Sequence, residues 1–229
     1  MATGFLGGGA DVALRQAIET IERASSAEVV IAVRRRAAHW LHAHLIVGVA
    51  VAFAGLGFML WSDISFGLAS IWLDPFVVGA GMGALVRVMP GVQRALTPRR
   101  YRRRAVRKAA MVAFHARGVR RTANRTGILV YIALTERMAA VIADDGVLRV
   151  VPVDRWRVAL ARIDRSIGSG GHATARAITG LAEVLGPCMP CRLDDANELP
   201  DEVDESEAEH DDPDGLDELE LADDLEAGR

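Results

Sequence analysis

Two adjacent carboxylates, Asp144 and Asp145, are the side chains in this sequence whose spacing best suits chemistry. They follow a short apolar run and precede Gly146. Neighbouring carboxylates in a turn can ligate a hard cation, since Ca²⁺ and Mg²⁺ prefer oxygen ligands. Asp-Asp-Gly is also an ordinary turn sequence, because glycine tolerates left-handed backbone. The sequence therefore gives Asp144 and Asp145 as candidate metal ligands and Ca²⁺ or Mg²⁺ as the candidate cofactor, with a plain turn as the alternative.

Two other groups of potential ligands have plainer explanations. Cys188 and Cys191 form a CxxC motif that suits a redox pair or half of a zinc site, but the sequence holds no second half. Two reduced cysteines in a proline-stiffened linker are the alternative. His39, His42 and His44 cluster where an apolar run begins, which favours interfacial histidines over a metal site. Because phosphate-loop, GxSxG and HExxH motifs are also absent from the sequence, no catalytic or cofactor-binding residue is assigned.

Two tandem apolar stretches predict a transmembrane hairpin over residues 41–89. Residues 45–61 contain no charge, and residues 64–89 are interrupted only by Asp74 and Arg87. At about 1.5 Å per residue, helices of this length span most of a hydrocarbon core roughly 30 Å thick. The ends of the stretches carry residues typical of membrane interfaces, namely Trp40, Trp61 and Trp72.

The charges that flank the hairpin predict its orientation. Arg34, Arg35 and Arg36 precede the first stretch, and the connection Ser62-Asp63 has no positive charge. A second basic group follows the hairpin: Arg94, Arg99, Arg100, Arg102, Arg103, Arg104, Arg107 and Lys108. Because positive flanks stay inside, we expect a two-pass protein of the inner (plasma) membrane with both termini in the cytoplasm. Lys108 is the single lysine among 27 basic residues, an arginine bias typical of GC-rich bacterial genes.

Asp74 has two interpretations. A carboxylate near the middle of a span costs on the order of 3 kcal/mol, which would indicate a functional acid. Alternatively, Asp74 caps a shorter helix that begins at Pro75, and the residues before it lie at the interface.

Small residues in both stretches predict close helix packing. Gly79 and Gly83 form a GxxxG motif, while Gly48, Ala52 and Gly55 share one face of the first stretch. Small residues at this spacing let helix backbones approach. The packing is either between the two arms of the hairpin or between two copies of the chain.

The remaining apolar segments predict one α/β domain that the hairpin interrupts. A helix over 11–24, with Val12, Leu14, Ile18 and Ile21 on one face, precedes a buried strand over 28–33. One helix and one strand cannot bury a core, so their partners must follow the hairpin. Those partners are a helix over 97–118, strands over 127–134 and 139–143, a helix capped by Asp154, and a helix after Gly171. The fold class is therefore a small layered α/β domain in two segments, 10–33 and 97–190.

Charge divides the chain into a basic part and an acidic tail. Residues 194–229 hold 18 of the 30 acidic residues and a single basic one, Arg229, for a net charge of −17. With few large apolar residues, a tail over 191–229 is predicted to be disordered.

The arginine run below the hairpin predicts a lipid partner. The run could bind anionic lipid, nucleic acid or the chain's own acidic tail, and its position favours anionic lipid headgroups, at about 1 kcal/mol per charge near the surface. Nucleic acid is not expected, because Tyr101 stands alone and no exposed aromatics alternate with the basic residues. The arginines expected to contact headgroups are Arg99, Arg100, Arg102, Arg103 and Arg104.

The order of these segments resembles the TPM domain family. Residues 26–33 (Ser-Ala-Glu-Val-Val-Ile-Ala-Val) resemble its first strand, and residues 118–132 look like its central segment. Trp156 and the Gly180-Leu181 helix are similar to its closing helices, and residues 197–201 (Asn-Glu-Leu-Pro-Asp) to a tail motif of bacterial membrane members. The resemblance implies an α/β sandwich. It also implies either an assembly or maintenance factor for membrane complexes or a Ca²⁺-binding acid phosphatase.

The expected function is a membrane-anchored interaction module that faces the cytoplasm and engages other membrane proteins. The sequence lacks the acidic segment that phosphatase-like members carry before the first helix, and only Asp144 and Asp145 lie where loop acids of that family fall. A divalent-cation-dependent acid phosphatase is the alternative. Three or four carboxylates around Asp144 would favour the enzyme, and scattered acids would favour the module.

Overall fold

A computed structural model describes residues 2–38, 41–86, 88–122, 124–191 and 203–204. The chain is helix-rich α/β with a small sheet, which confirms the predicted class at that level. The strands are β1 (Glu28–Arg34), β2 (Gly127–Ala133), β3 (Met138–Ala143) and β4 (Val203–Asp204). The helices are α1 (Ala2–Leu6), α2 (Ala10–Ala24), α3 (Leu41–Trp61), α4 (Leu68–Val86), α5 (Pro90–Leu96), α6 (Arg99–Ala116), α7 (Asp145–Val150), α8 (Val153–Ser166), α9 (Gly171–Thr179) and α10 (Ala182–Leu185).

The sheet joins segments from both sides of the apolar hairpin. Its strand order is β3-β2-β1-β4. β1 and β2 run parallel, from the pair Glu28 and Gly127 to the pair Arg34 and Ala133, although α3 and α4 lie between them in the chain. β3 pairs antiparallel with β2. The first strand therefore belongs to the same sheet as the strands after the hairpin.

Both faces of the sheet are buried, which explains why its strands are continuous apolar runs without alternation. One face carries Val29 and Ile31 of β1 beside Ile128 and Val130 of β2, under α2, α8 and α9. The opposite face carries Val30, Ala32, Leu129 and Tyr131, and α6 covers it with Val106, Ala110 and Phe114. The result is a layer of helices on each side of one sheet.

Helix periodicity determines which side chains reach these faces. Leu14, Ile18 and Ile21 of α2 are fully buried, whereas Val12 is 51% exposed. The prediction that Val12 shares the apolar face was wrong, because two residues correspond to about 200° around a helix of 3.6 residues per turn. In α8 the buried side chains Trp156, Ala159 and Ile163 also recur at helical spacing.

Three helix boundaries differ from the predicted ones. Asp144 is the N-cap of α7, so Asp144-Asp145-Gly146 starts a helix and is not a plain turn. Pro152 precedes α8 and Asp154 lies in its first turn, because the fixed φ of proline suits a helix start. The predicted single helix after Gly171 is divided into α9 and α10 near Gly180.

The two apolar helices pack closely on each other. A Cβ added to Gly79 would lie 2.5 Å from the Gly48 carbonyl oxygen and 2.8 Å from the Ala52 Cβ, so the small residues allow the contact. The predicted small-residue contact is therefore made within the hairpin. α4 begins at Leu68 and runs through Asp74 and Pro75, so Asp74 does not cap the helix.

Most of the predicted acidic tail lies outside the described residues, as do His39, Trp40 and Arg87. The exception is β4, which pairs parallel with β1 through Ile31–Val203 and Ala32–Asp204. Residues 203–204 are thus ordered, against the prediction for the tail. Without β4, the outer edge of β1 would present unpaired backbone groups.

Candidate functional site

The predicted arginine cluster lies where the hairpin joins the domain. We call this region the junction: residues 34–37, 93–103 and 134–137. β1 ends here, and its carbonyls at Arg34 and Arg35 accept hydrogen bonds from the backbone of Leu134 (3.0 Å) and Thr135 (2.9 Å). The chain enters α3 from this end of the sheet and returns to it through α5 and α6. The fold thus brings the two basic segments that flank the hairpin together at the junction.

A buried acid organises the junction. Glu136 is 1% exposed, and its Oε1 accepts a hydrogen bond from the Ala37 backbone at 3.2 Å. Arg102 donates to the Glu136 carbonyl at 3.0 Å and to the Thr97 carbonyl at 3.2 Å. This side chain therefore joins α6 to the β2–β3 turn, and hydrogen bonding to backbone explains its partial burial.

α5 connects the hairpin to the same turn. Gln93 is 1% exposed and donates to the Val86 carbonyl at the end of α4 at 2.9 Å. Arg94 donates to the Thr135 carbonyl at 3.1 Å. Desolvation lowers the pKa of Arg94, and repulsion from Arg137 and Arg102 adds to this effect, while Glu136 opposes it. The helix thus holds α4 and the sheet in fixed contact.

Two of the predicted headgroup arginines hold α6 against α8. Arg99 and Arg103 donate to Asp164 Oδ2 at 3.2 and 3.3 Å, and Asp164 Oδ1 accepts from the Ala139 backbone at 3.1 Å. The arginine side chains are 65% and 66% exposed, against 14% for Asp164. Because most of each arginine side chain is solvated, ion pairs of this kind contribute about 0–1 kcal/mol.

The predicted headgroup set therefore divides by role. Arg102 is committed to the protein backbone, and Arg99 and Arg103 share one carboxylate. Arg100 stacks over the Tyr101 ring at 4.9 Å, and both side chains are exposed. Arg104 is exposed and makes no ion pair within the part of the chain that the structure describes. Arg100 and Arg104 are the members of the set most available to an external anion.

Sequence reasoning missed a second arginine group, on the sheet face that α6 covers. Arg34 is 8% exposed and was taken as a membrane flank, although it is the last residue of β1. Burial lowers its pKa and that of Arg117, and the Arg117 pKa is lowered further by repulsion from Arg34. Burial also raises the pKa of the neighbouring Tyr131 to about 12. The one available signal was the apolar strand that runs directly into Arg34.

Asp144 and Asp145 are adjacent, but their side chains have separate roles. Asp144 is 6% exposed, and its Oδ1 accepts from the Asp145 backbone at 2.7 Å. Its Oδ2 is buried and has no hydrogen-bond partner among the described residues. Asp145 is exposed and lies 3.6 Å from the Arg125 guanidinium. Within the described ranges no group of three His, Cys, Asp or Glu side chains could hold a metal, so the cation site stays a prediction.

Among the described residues, neither the cysteines nor His44 belongs to a group of three potential metal ligands. Cys188 is half-buried and Cys191 is exposed, and both lie after α10. His44 lies in α3 and lines a groove of about 340 Å³ between the hairpin arms. A second groove, of about 290 Å³, lies where α8 faces α9 and includes Asp154, Arg162 and Glu183. Neither groove includes Asp144 or Asp145.

The hairpin exposes an unusual amount of apolar surface. By length and composition, two stretches could cross a membrane: His44–Trp61, with mean hydropathy 2.0, and Leu68–Val86, with mean hydropathy 1.5. Only 6% and 22% of these residues are buried within the protein. A core helix of a soluble protein would be mostly buried, and these two helices are mostly exposed.

Comparison with known proteins gives the fold alone. No family model and no curated protein matches the chain. Among solved structures, the chain is similar to the BA42 protein from the psychrophilic bacterium Bizionia argentinensis, determined by NMR. The TM-score is 0.53 at 18% identity, covering 87% of this chain and 94% of that one.

Proposed function

We propose that the chain is a membrane-anchored interaction module whose α/β domain faces the cytoplasm. The observation that carries this proposal is the exposure of the hairpin. Large side chains along both arms face outward, including Phe53 (70% exposed), Trp61 (90%) and Trp72 (78%). Monomeric soluble proteins rarely expose continuous apolar patches of this extent. Burial in lipid removes this surface from water, at roughly 25 cal/mol per Å² of apolar area.

The junction supports the orientation. The turn between α3 and α4 carries the acid Asp63 and no basic residue, whereas the opposite end of the hairpin meets the arginine-rich junction. Positive flanks remain in the cytoplasm, which supports a cytoplasmic domain with both termini on the same side. Arg100 and Arg104 then lie where anionic headgroups can bind them, at about 1 kcal/mol per charge.

The interaction role is supported by the acids at the start of α7 and by the layers of the domain. The described residues provide two carboxylates at Asp144 and Asp145 with no third acid, histidine or cysteine beside them, which favours a module over a cation-dependent phosphatase. The layering of helices on both faces of the sheet suits the TPM-like interpretation. We infer that the partners are other membrane proteins and that the module acts in assembling or maintaining their complexes.

Membrane insertion and orientation can be tested together. The full chain should stay in the membrane pellet after extraction with alkaline carbonate and dissolve only in detergent. A reporter active only in the cytoplasm should work when fused after Arg229 and fail when inserted beside Asp63. Release by carbonate would remove the anchor, and activity at Asp63 would reverse the orientation.

The partner class has a separate test. The full chain, crosslinked in intact membranes and purified in detergent, should yield defined adducts with integral membrane proteins. A chain with a polar hairpin face, Leu73→Ser with Val77→Ser, serves as the matched control, because both side chains are exposed (63% and 60%) and lie away from the glycine contact. Loss of adducts in this control assigns the contact to the hairpin, whereas their retention assigns it to the domain. Absence of any membrane-protein adduct from the unaltered chain would contradict the module.

A further inference from the structure

The outer edge of β1 carries a short strand from a distant and very acidic part of the chain. β4 pairs with β1 in parallel, with Val203 beside Ile31 and Asp204 beside Ala32. Residues 201–211 contain seven acids, and Val203 is the one large apolar residue among them. Strand addition at a sheet edge uses main-chain hydrogen bonds for affinity and alternate side chains for specificity. The pairing therefore lets Val203, the one large apolar residue of this stretch, enter the core.

Val203 is anchored on the face of the sheet that α2 covers. Its side chain is 7% exposed and belongs to the same cluster as Val29, Ile31 and Ile18. α2 contacts β4 directly. Burial of the Val203 side chain against α2 removes its apolar surface from water, which favours an apolar residue over the acids beside it. This pocket gives the edge a preference for an apolar residue at that position.

The opposite face of β1 gives the edge a preference for negative charge. Arg34 lies on the same face as Ala32, two residues further along the strand, and Arg117 and Tyr131 are close to it. Two cations held together on a partly desolvated face raise the local positive potential. A strand that places acids along this part of β1 reduces that potential, and charge-assisted contacts are stronger than neutral ones.

We propose that the β1 edge is a binding site for an extended acidic segment with one β-branched residue, and that the chain's own Val203–Asp204 is its resident occupant. The segment covers in cis an edge that would otherwise accept a strand from another molecule. The same surface takes an acidic extended peptide of similar pattern in trans when the resident strand leaves. This site lies in the domain and does not depend on how the hairpin is oriented.

Amide hydrogen exchange on the full chain in detergent micelles tests the cis occupant. The variant Val203→Asp places an unpaired charge in the pocket, so exchange in residues 28–34 should quicken roughly tenfold or more. Val203→Ile, the matched control, keeps the apolar branch and should leave exchange near that of the natural chain. Equal exchange rates in all three proteins would overturn the proposal. So would protection that grows with protein concentration, since the strand would then come from a second copy.

Binding in trans separates strand addition from simple charge attraction. The chain lacking residues 198–229 is titrated with a labelled peptide of residues 198–211 and with its Val203→Asp counterpart. The counterpart is more acidic, so attraction to arginine alone predicts equal or tighter binding, whereas strand addition predicts binding roughly tenfold weaker. Arg34→Gln should weaken the natural peptide severalfold, with exchange in β2 unchanged as the folding control. Tighter binding of the counterpart would overturn the proposal.

Discussion

Polar groups in the core of this domain are tolerated where a backbone or charge partner compensates them. Glu136 and Arg102 meet this condition through hydrogen bonds to and from the main chain. Asp144 meets it in part, since one oxygen caps α7 and the other is buried with no partner in the described part of the chain. Tyr131 meets it by staying neutral, because burial disfavours its ionised form. These residues contribute to the stability of the domain, and no chemical role is assigned to them.

Removal of the Asp144 cap should destabilise the domain. Asp144→Ala loses the 2.7 Å hydrogen bond to the Asp145 backbone and should lower the free energy of unfolding by about 1 kcal/mol. Asp144→Asn keeps a capping oxygen and should lose less. Urea denaturation followed by proteolysis measures both. Added Ca²⁺ should leave the midpoint of the natural chain unchanged, and a rise abolished by Asp144→Asn would establish the cation site instead.

Tyr131 should make the domain sensitive to alkali. Its pKa is raised from 10.0 to about 12 in the folded state, so its stabilising contribution is complete below pH 10 and is lost between pH 10 and 12. By pH 11 the loss is about 1 kcal/mol. Tyr131→Phe should remove this part of the alkaline slope, measured as urea midpoints at pH 9 and pH 11. Identical slopes for the two proteins would mean that the hydroxyl is not desolvated.

At the level of elements, close contact between helix backbones holds the hairpin together, and the sheet holds the domain together. Gly48 and Gly79 face each other, and Gly55 contacts Pro75. This contact uses the small residues that would otherwise be available for helix association between copies. Pro75 lies within α4, where it removes a backbone donor, yet it is buried against α3 and the helix continues.

A side chain at Gly79 should separate the arms of the hairpin. Gly79→Val would place carbon within 2.5 Å of the Gly48 carbonyl, and overpacking of this kind costs roughly 1–3 kcal/mol. Gly81→Val is the matched control, because an added Cβ there meets no atom within 4 Å. Thermal unfolding in detergent should show a lower midpoint for Gly79→Val than for Gly81→Val. Equal midpoints would indicate that the arms do not touch in this way.

At the level of the whole molecule, one sheet is completed across an insertion. β1 is made before the hairpin and β2 after it, so the domain folds only when both segments are on the same side of any membrane that the hairpin crosses. The junction fixes this closure through Gln93, Arg94 and Arg102. The hairpin and the domain are therefore joined by side-chain hydrogen bonds, as the proposed module at the membrane surface would require.

Disruption of β1 should unfold the segment after the hairpin. Ile31 is fully buried beside Val130, and Ile31→Asp would bury an unpaired charge at a cost of several kcal/mol. Limited proteolysis of membranes should then cut rapidly within residues 97–186. Val12→Asp is the control, since that side chain is 51% exposed and should leave resistance unchanged. Unchanged resistance in Ile31→Asp would separate β1 from the sheet.

The sequence by itself determined the elements with strong apolar patterns. Strands over 28–33, 127–134 and 139–143 were predicted within a residue of their ends, because a strand buried on both faces is an uninterrupted apolar run. The two apolar helices and the small residues between them were also evident, since length and residue size are local properties. The closeness of Asp144 and Asp145 also follows from the sequence alone, because they are consecutive residues.

Only the tertiary structure decided which charges have which partners. The sequence grouped Arg99 to Arg104 as one lipid-binding set, yet Arg102 binds backbone and Arg99 and Arg103 bind Asp164 of a helix far along the chain. Arg34, which precedes the hairpin, is also the buried last residue of β1, and Val203 of the acidic tail enters the core beside Ile31. Such pairings depend on which elements meet in space, and local sequence patterns do not predict contacts between distant segments.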